Sequence, residues 1–353
     1  KEYTRYKLTD SVMTFALRLL MVSALLRMDP TLMFWSVVLS NGVLVPLVWR
    51  RAGLPRPRRL RKFVRSAPIR ERVRAFLLFG LPMTIWFFSG ALLDVGDRFV
   101  ISYFLGPAPV GIYDASYRLV AGSAVLLIAP VTITLHPYLM SVAGTGESKR
   151  ISQVLGIMVE NLFLIGVLAV GLTYLFCRDA GNVLLGPEFR EGSAIMPLVL
   201  AGICANNIGT FVHKPFEITG RTRPMVVLGL VSMVANIGLN FVLVPWVGYL
   251  GAAYATLVSY LLYAVGVGAW GRRIYPWRID LAWSASFTLI VVLGVVAIRV
   301  LRGTLLNGVP YWWNLAVAVV ASMLLAGWCL LRLIRRTSAF RLRATVSETG
   351  EAG

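Results

Sequence analysis

"LLDVGDRFVISYFLGPAPVGIYDASYRLV", residues 92–120, combines two properties that conflict. It is apolar enough to lie in a lipid bilayer, yet it carries Asp94, Asp97, Arg98, Asp114 and Arg118. Charged side chains at membrane depth are expensive and face a bundle interior or a watery cavity. "GPAP" at 106–109 parts two apolar arms, so the stretch reads as the end of one spanning helix, a turn, and the start of the next. Asp94 and Arg98 are spaced i,i+4, as are Asp114 and Arg118, and each pair neutralises itself on one helix face. Asp97 is left without a local partner. The group is either a self-satisfied network that fixes the packing of two helices or the charged wall of an outward-facing cavity.

The composition of the whole chain agrees with a bilayer setting. Of 353 residues, 58% are hydrophobic and 14% charged, where soluble domains carry about 25% charged. The mean hydropathy is +0.74. A spanning helix needs about 20 apolar residues. Candidate spans fall at 9–26, 31–49, 76–104, 108–138, 151–176, 194–217, 224–245, 249–270, 281–300 and 311–333. The expected fold is therefore all-α, a polytopic transmembrane helix bundle of about ten spans.

The net charge of +19 is placed by topology. Ten spans put both termini on one side, and 26 of the 35 Lys and Arg residues fall on that side. The positive-inside rule makes it cytoplasmic. Eleven of them lie in "RRAGLPRPRRLRKFVRSAPIRERVR", residues 50–74. A run tethered between two spans, with the single aromatic Phe63, suits anionic lipid headgroups and not nucleic acid. Residues 69–80 read as an amphipathic elbow before Pro82 opens the next span. The chain begins "KEYTRYKLTD", charged and without Met, ahead of a weak first span interrupted by Arg18, and so reads as the continuation of a longer membrane protein.

Enzyme chemistry finds little support. No Walker loop, HExxH or G-x-S-x-G occurs, and the longest outer loop, "CRDAGNVLLGPEFREG" at 177–192, is too small to fold alone. Cys177, Cys204 and Cys329 lie far apart and only His136 and His213 occur, so neither a metal site nor a cofactor is expected. Polar groups recur instead through several spans. "CANNIGTFVHKPFEITG" at 204–220 holds Asn206 and Asn207 at mid-depth and His213, Lys214 and Glu217 near one end, where Pro215 should bend the helix. Lys214 either snorkels to the surface or meets a ligand. Asn236 and Asn240 share a face of the next span, and Glu160 and Asn161 lie in the fifth.

"DRFVISYFLGPAPVGIYDASYRL" at 97–119 and "GRTRPMVVLGLVSMVANIGLNFVLVPWVGYLGAAYATLVSYLL" at 220–262 resemble the oligosaccharide (O-antigen type) flippases among the polysaccharide biosynthesis proteins. "LLGPEF" at 184–189 fits the same pattern. The resemblance implies two helical lobes around a central cavity, in the superfamily of multidrug, oligosaccharidyl-lipid and polysaccharide exporters. On that template residues 1–49 are the last two helices of an N-terminal lobe and 50–75 a basic cytoplasmic linker. Residues 76–272 form a complete six-helix C-terminal lobe, 273–335 two peripheral helices and 336–353 a cytoplasmic tail. The implied activity is the flipping of a polyprenyl-pyrophosphate-linked oligosaccharide across a bacterial inner membrane. Arg98, Arg118 and Lys214 would meet the pyrophosphate, Asn206 and Asn207 the sugar, and Asp97 a coupling ion. A polysaccharide polymerase and a chain-length regulator are the implied protein partners. The rival readings are a cation-coupled drug or lipid-II exporter of the same superfamily and a non-transporting scaffold for polysaccharide enzymes.

Overall fold

The computed structural model describes residues 67–350 except Leu305 and Asn307, with no strand among them. The expected spans 9–26 and 31–49 and most of the basic run 50–74 lie outside the described residues. The chain divides into two compact units, Lys1–Leu77 and Leu78–Gly353. Of the first, the described part is the opening of a helix that begins at Ala67; the packing below belongs to the second.

Helix α1 covers Ala67–Leu105, α2 Pro107–Thr145 and α3 Ser148–Leu184. A 3-10 segment at Pro187–Ile195 leads into α4 (Met196–Val212), and α5 (Lys214–Ile218) follows after a break at His213. Then come α6 (Arg223–Val247), α7 (Tyr249–Gly271), α8 (Leu281–Gly303) and α9 (Tyr311–Gly350). Seven described helical segments, from Pro107–Thr145 through Tyr311–Arg336, are long and apolar enough to cross a membrane. They correspond one for one with the last seven spans expected from hydropathy. The chain is a multi-pass membrane protein, and its exposed Leu, Val and Phe side chains are what lipid contact requires.

The boundary of α1 differs from expectation. Pro82 does not open the helix but sits inside it, fifteen residues after Ala67. Proline inside a spanning helix is tolerated where nearby hydroxyls re-satisfy the freed carbonyls. Thr84 donates its hydroxyl to the Gly80 carbonyl at 2.9 Å, not to the Leu78 carbonyl that Pro82 leaves without its helical donor. At Pro215 the helix breaks as the sequence suggested, because proline cannot donate to the preceding turn. Gly106, at φ 84°, makes the tight turn from α1 to α2, and Pro107 starts α2 where its missing N–H costs nothing.

Three larger apolar clusters and a small one of Leu93, Ala205 and Tyr260 hold the helices together. One joins Leu139, Leu155, Met158, Phe211, Phe216 and Val267 near the α2–α3 turn. A second joins Ile101, Tyr113, Ile195, Met196, Val244 and Ala252 near the α1–α2 turn. In a third, Leu164 and Leu168 of α3 pack against Phe287, Val291 and Val295 of α8 and Ala318 and Cys329 of α9. Thus α8 and α9 attach at one side, through α3, and leave the α1–α2 face uncovered by themselves. Close backbone approach needs small residues: a Cβ on Gly251 would meet the Leu243 carbonyl oxygen at 2.5 Å.

Candidate functional site

Helices α1 and α2 run antiparallel about Gly106, so residues about equally distant from that turn meet across the hairpin. Arg98 and Asp114 are each eight residues away. Arg98 places Nε 3.0 Å and Nη2 2.9 Å from Asp114 Oδ1. Its guanidinium lies over the Tyr117 ring, 4.4 Å from the centroid, and its Nη1 donates to the Asp94 carbonyl oxygen. Asp114 also accepts from Arg118 Nε. Asp94 accepts from Tyr117 Oη at 2.6 Å. The i,i+4 pairing is therefore half corrected. Asp114 and Arg118 pair as spaced, but the Arg98 side chain turns to Asp114 across the hairpin while a tyrosine takes the Asp94 carboxylate. The cause is the hairpin register, which offers Arg98 a shared carboxylate and an aromatic face at once.

Asp97 is fully buried and far from partnerless. It accepts from Tyr113 Oη at 2.6 Å, from Thr256 Oγ1 at 2.7 Å and from Asn240 Nδ2 at 3.0 Å. One carboxylate thus ties α1 to α2, α7 and α6. Asn240 also donates to the Asn236 carbonyl at 2.9 Å, and Asn236 Nδ2 reaches Thr256 at 3.4 Å. A buried carboxylate persists when several donors converge on it. Exposure rises outward from Asp97: the side chains of Arg98, Asp114 and Arg118 are 16%, 26% and 77% exposed. The charged row therefore leads from the interior of the unit to its surface.

A second polar chain crosses the bundle near the α2–α3 turn. His213 is fully buried, with Nδ1 2.8 Å from Tyr263 Oη and Nε2 2.8 Å from Glu217 Oε1. Trp86 Nε1 donates to Tyr263 Oη at 2.7 Å. With the indole as donor at one end and a carboxylate as acceptor at the other, the tyrosine hydroxyl donates to Nδ1 and Nε2–H donates to Glu217. Lys214 Nζ lies 2.7 Å from Glu217 Oε2 and is nearly buried, so it forms an ion pair and does not snorkel. Asn207 donates to its own helix at the Ile203 carbonyl, 2.8 Å away, and both Asn206 and Asn207 are half-buried. Among the described residues, no hydrogen bond or ion pair joins Asn206, Asn207 or Lys214 to the Asp97 group. Nor do the described residues hold three His, Cys, Asp or Glu side chains placed to bind a metal ion.

Two groupings were absent from the sequence reading. Tyr113, Tyr117, Thr256 and Asn240 complete the Asp94–Asp97–Arg98 group. Arg302 holds Asp179 through two bonds of 2.8 and 3.0 Å, with Tyr311 Oη 3.0 Å from the same carboxylate. The hairpin symmetry about Gly106 was a usable signal for the first. The second joins residues 123 positions apart and left none.

Residues 6–143 match the family described as polysaccharide biosynthesis protein. The probable flippase AglR of Haloferax volcanii is 26% identical over 174 residues, covering 47% of this chain and 35% of that protein. The probable low-salt glycan biosynthesis flippase Agl15 of the same organism is 22% identical over 169 residues, covering 48% and 36%. An uncharacterized membrane protein of Methanocaldococcus jannaschii is 24% identical over 213 residues, covering 57% and 40%. The matched parts thus span well under half the length of these relatives. The matches bear out the resemblance drawn from the sequence motifs.

Proposed function

From this likeness to polysaccharide biosynthesis proteins and probable flippases, we propose that the chain is the lipid-linked glycan translocating part of a flippase. The substrate is a polyprenyl-pyrophosphate-linked oligosaccharide, carried from the cytoplasmic to the outer leaflet of a bacterial inner membrane by alternating access. Both ends of this chain face the cytoplasm, on the basic side. A pyrophosphate-sugar headgroup cannot cross ~30 Å of hydrocarbon unaided, since each unpaired polar or charged group costs several kcal/mol or more.

The observation that carries the reading is the charged row from Asp97 to Arg118, built into helices that otherwise suit a bilayer. Arg98 and Arg118 converge on the Asp114 carboxylate, and Arg118, 77% exposed, is the cation of the row that a pyrophosphate meets first, although Asp94, Asp97 and Asp114 offset the charge of the two arginines. Asp97 is the coupling group: taking up a proton or cation would loosen one of its three hydrogen bonds and with it the α1–α2–α6–α7 junction. Lys214, released from Glu217, meets the headgroup on the cytoplasmic side, and Asn206 and Asn207 meet the sugar. The basic linker holds anionic lipid near the entrance, and a polymerase and chain-length regulator receive the product. The relatives, named as probable flippases, accord with a transporter and not an enzyme.

Reconstitution tests this reading. The full gene product in proteoliposomes should speed transbilayer movement of a fluorescent polyprenyl-pyrophosphate oligosaccharide over protein-free vesicles. Arg98→Gln should slow it at unchanged protein content. Movement at the protein-free rate would end the proposal.

A further inference from the structure

A polar concavity lies between the C-terminal ends of α3 and α8 and the start of α9. It is a cleft of about 790 Å³, a size that suits a small ligand or headgroup. Its charged lining residues are Arg178, Asp179, Arg299 and Arg302. Arg302 is committed to Asp179 by its two bonds. Arg178 and Arg299 are exposed and pair with no carboxylate among the described residues, which leaves the cleft doubly positive. Arg299 is held in place over the Tyr174 ring, 4.9 Å from its centroid.

Aromatic side chains set the depth of this cleft. Trp312 and Trp313 begin α9 beside it, and Trp246 ends α6 at the same end of the bundle; all three are at least 68% exposed. Tyr311 lines the cleft itself. Exposed Trp and Tyr gather where hydrocarbon gives way to headgroups. Two unpaired arginines at that level, in a hollow that opens beside lipid-facing helices, match a phosphate and not a neutral sugar.

We propose that this cleft binds the phosphate of a lipid headgroup in the leaflet at that end, through Arg178 and Arg299. Asp179, Arg302 and Tyr311 are its scaffold: their mutual bonds fix the wall from which the two free arginines project. The bound phosphate belongs either to an ordinary anionic phospholipid or to a polyprenyl phosphate carrier. Binding at this site does not rest on the transport reading, so either can fail alone.

Native mass spectrometry of the full chain tests it, with phosphatidylglycerol, phosphatidylcholine or a polyprenyl phosphate added in turn. The wild type should retain an anionic lipid that Arg178→Gln/Arg299→Gln holds roughly thirty-fold more weakly, the effect of losing two basic residues beside an anionic headgroup. Arg221→Gln/Arg223→Gln removes the same charge at the other end and should bind as the wild type does. Should the double variant fold poorly, each single variant should weaken binding roughly five-fold. Retention of phosphatidylglycerol names bulk lipid as the source; stronger retention of polyprenyl phosphate names the carrier. Unchanged binding in the Arg178/Arg299 variants, equal loss in the Arg221/Arg223 control, or equal retention of phosphatidylcholine would overturn the site.

Discussion

Replacing Asp97 separates its structural role from the coupling role proposed for it. Asp97→Ala removes an acceptor from Tyr113, Thr256 and Asn240, all of them buried. A buried donor left unsatisfied costs about 1–3 kcal/mol. Asn240 keeps its bond to the Asn236 carbonyl, so the lower end of that range applies to it. The expected loss is about 3 kcal/mol or more, a large part of the ~5–15 kcal/mol that holds a domain together. Asp97→Asn behaves differently. Its amide nitrogen can stand where Oδ2 was and donate to the Tyr113 and Thr256 hydroxyl oxygens, which accept as readily as they donate. Its carbonyl oxygen still accepts from Asn240. The Tyr113 and Thr256 hydroxyls keep a partner but lose the acceptor for their own protons; with no charge left to bury, Asp97→Asn should still be about 2 kcal/mol more stable than Asp97→Ala. Thermal unfolding in detergent, followed by tryptophan fluorescence, should show Asp97→Ala melting roughly 6 °C or more below Asp97→Asn, on the scale of soluble domains. If the two variants melt together, the carboxylate does not organise the four helices and the hydrogen-bond argument is wrong. If Asp97→Asn is stable yet transports normally, the coupling role is lost while the structural one stands.

Other perturbations follow from the same contacts. Arg98→Gln, which strands Asp114 on one side and uncovers Tyr117, should cost about 1–3 kcal/mol, whereas exposed Arg118→Ala should cost under about 1 kcal/mol; the same melting assay compares them. Arg302→Gln leaves Asp179 nearly buried and unpaired, so it should melt well below the wild type, by a margin that Asp179→Asn/Arg302→Gln reduces. A Cβ at Gly192 would collide with Ser116 and with the Ile112 carbonyl, while one at Gly96 meets nothing within 4 Å. Gly192→Ala should therefore destabilise, and Gly96→Ala should be neutral or gain up to about 1 kcal/mol. Asp280 caps α8, accepting from the Trp283 N–H at 3.0 Å, and meets Arg336 at 3.0 Å. The cap bond and then the arginine hold its carboxyl below the usual carboxylate range. Its contribution is present above the unfolded value near 3.8 and fades as pH falls through the lower folded value. Asp280→Asn should flatten the melting temperature of the wild type below about pH 4.

Hydropathy made the spans legible because a bilayer imposes one length and one polarity on every crossing. Expected spans such as 224–245 and 249–270 recur within a few residues in α6 and α7. Pro82 misled because a spanning helix tolerates an internal proline that a helix in water does not. The charged residues of 92–120 were visible at once, but their partners were not. Spacing along one helix favoured Asp94 for Arg98, and only the antiparallel register about Gly106 brings Asp114 and Tyr117 within reach. For Asp97, Asn240 lies 143 residues away and Thr256 159, and no local pattern carries that distance. Lys214 was misjudged as a snorkelling candidate because its acceptor Glu217, three residues on, is held by His213, whose own anchor is Tyr263 on another helix.

The central proposal is that this protein moves a lipid-linked oligosaccharide between leaflets. Deleting its gene and following that lipid tests the claim most directly. Cells without the gene should lose surface polysaccharide and accumulate the polyprenyl-linked oligosaccharide, shielded from reagents that reach only the outer face. The wild-type gene should reverse both effects, and the Arg98→Gln gene, at equal membrane abundance, should not. Normal polysaccharide with no accumulation in the deletion strain would contradict the account.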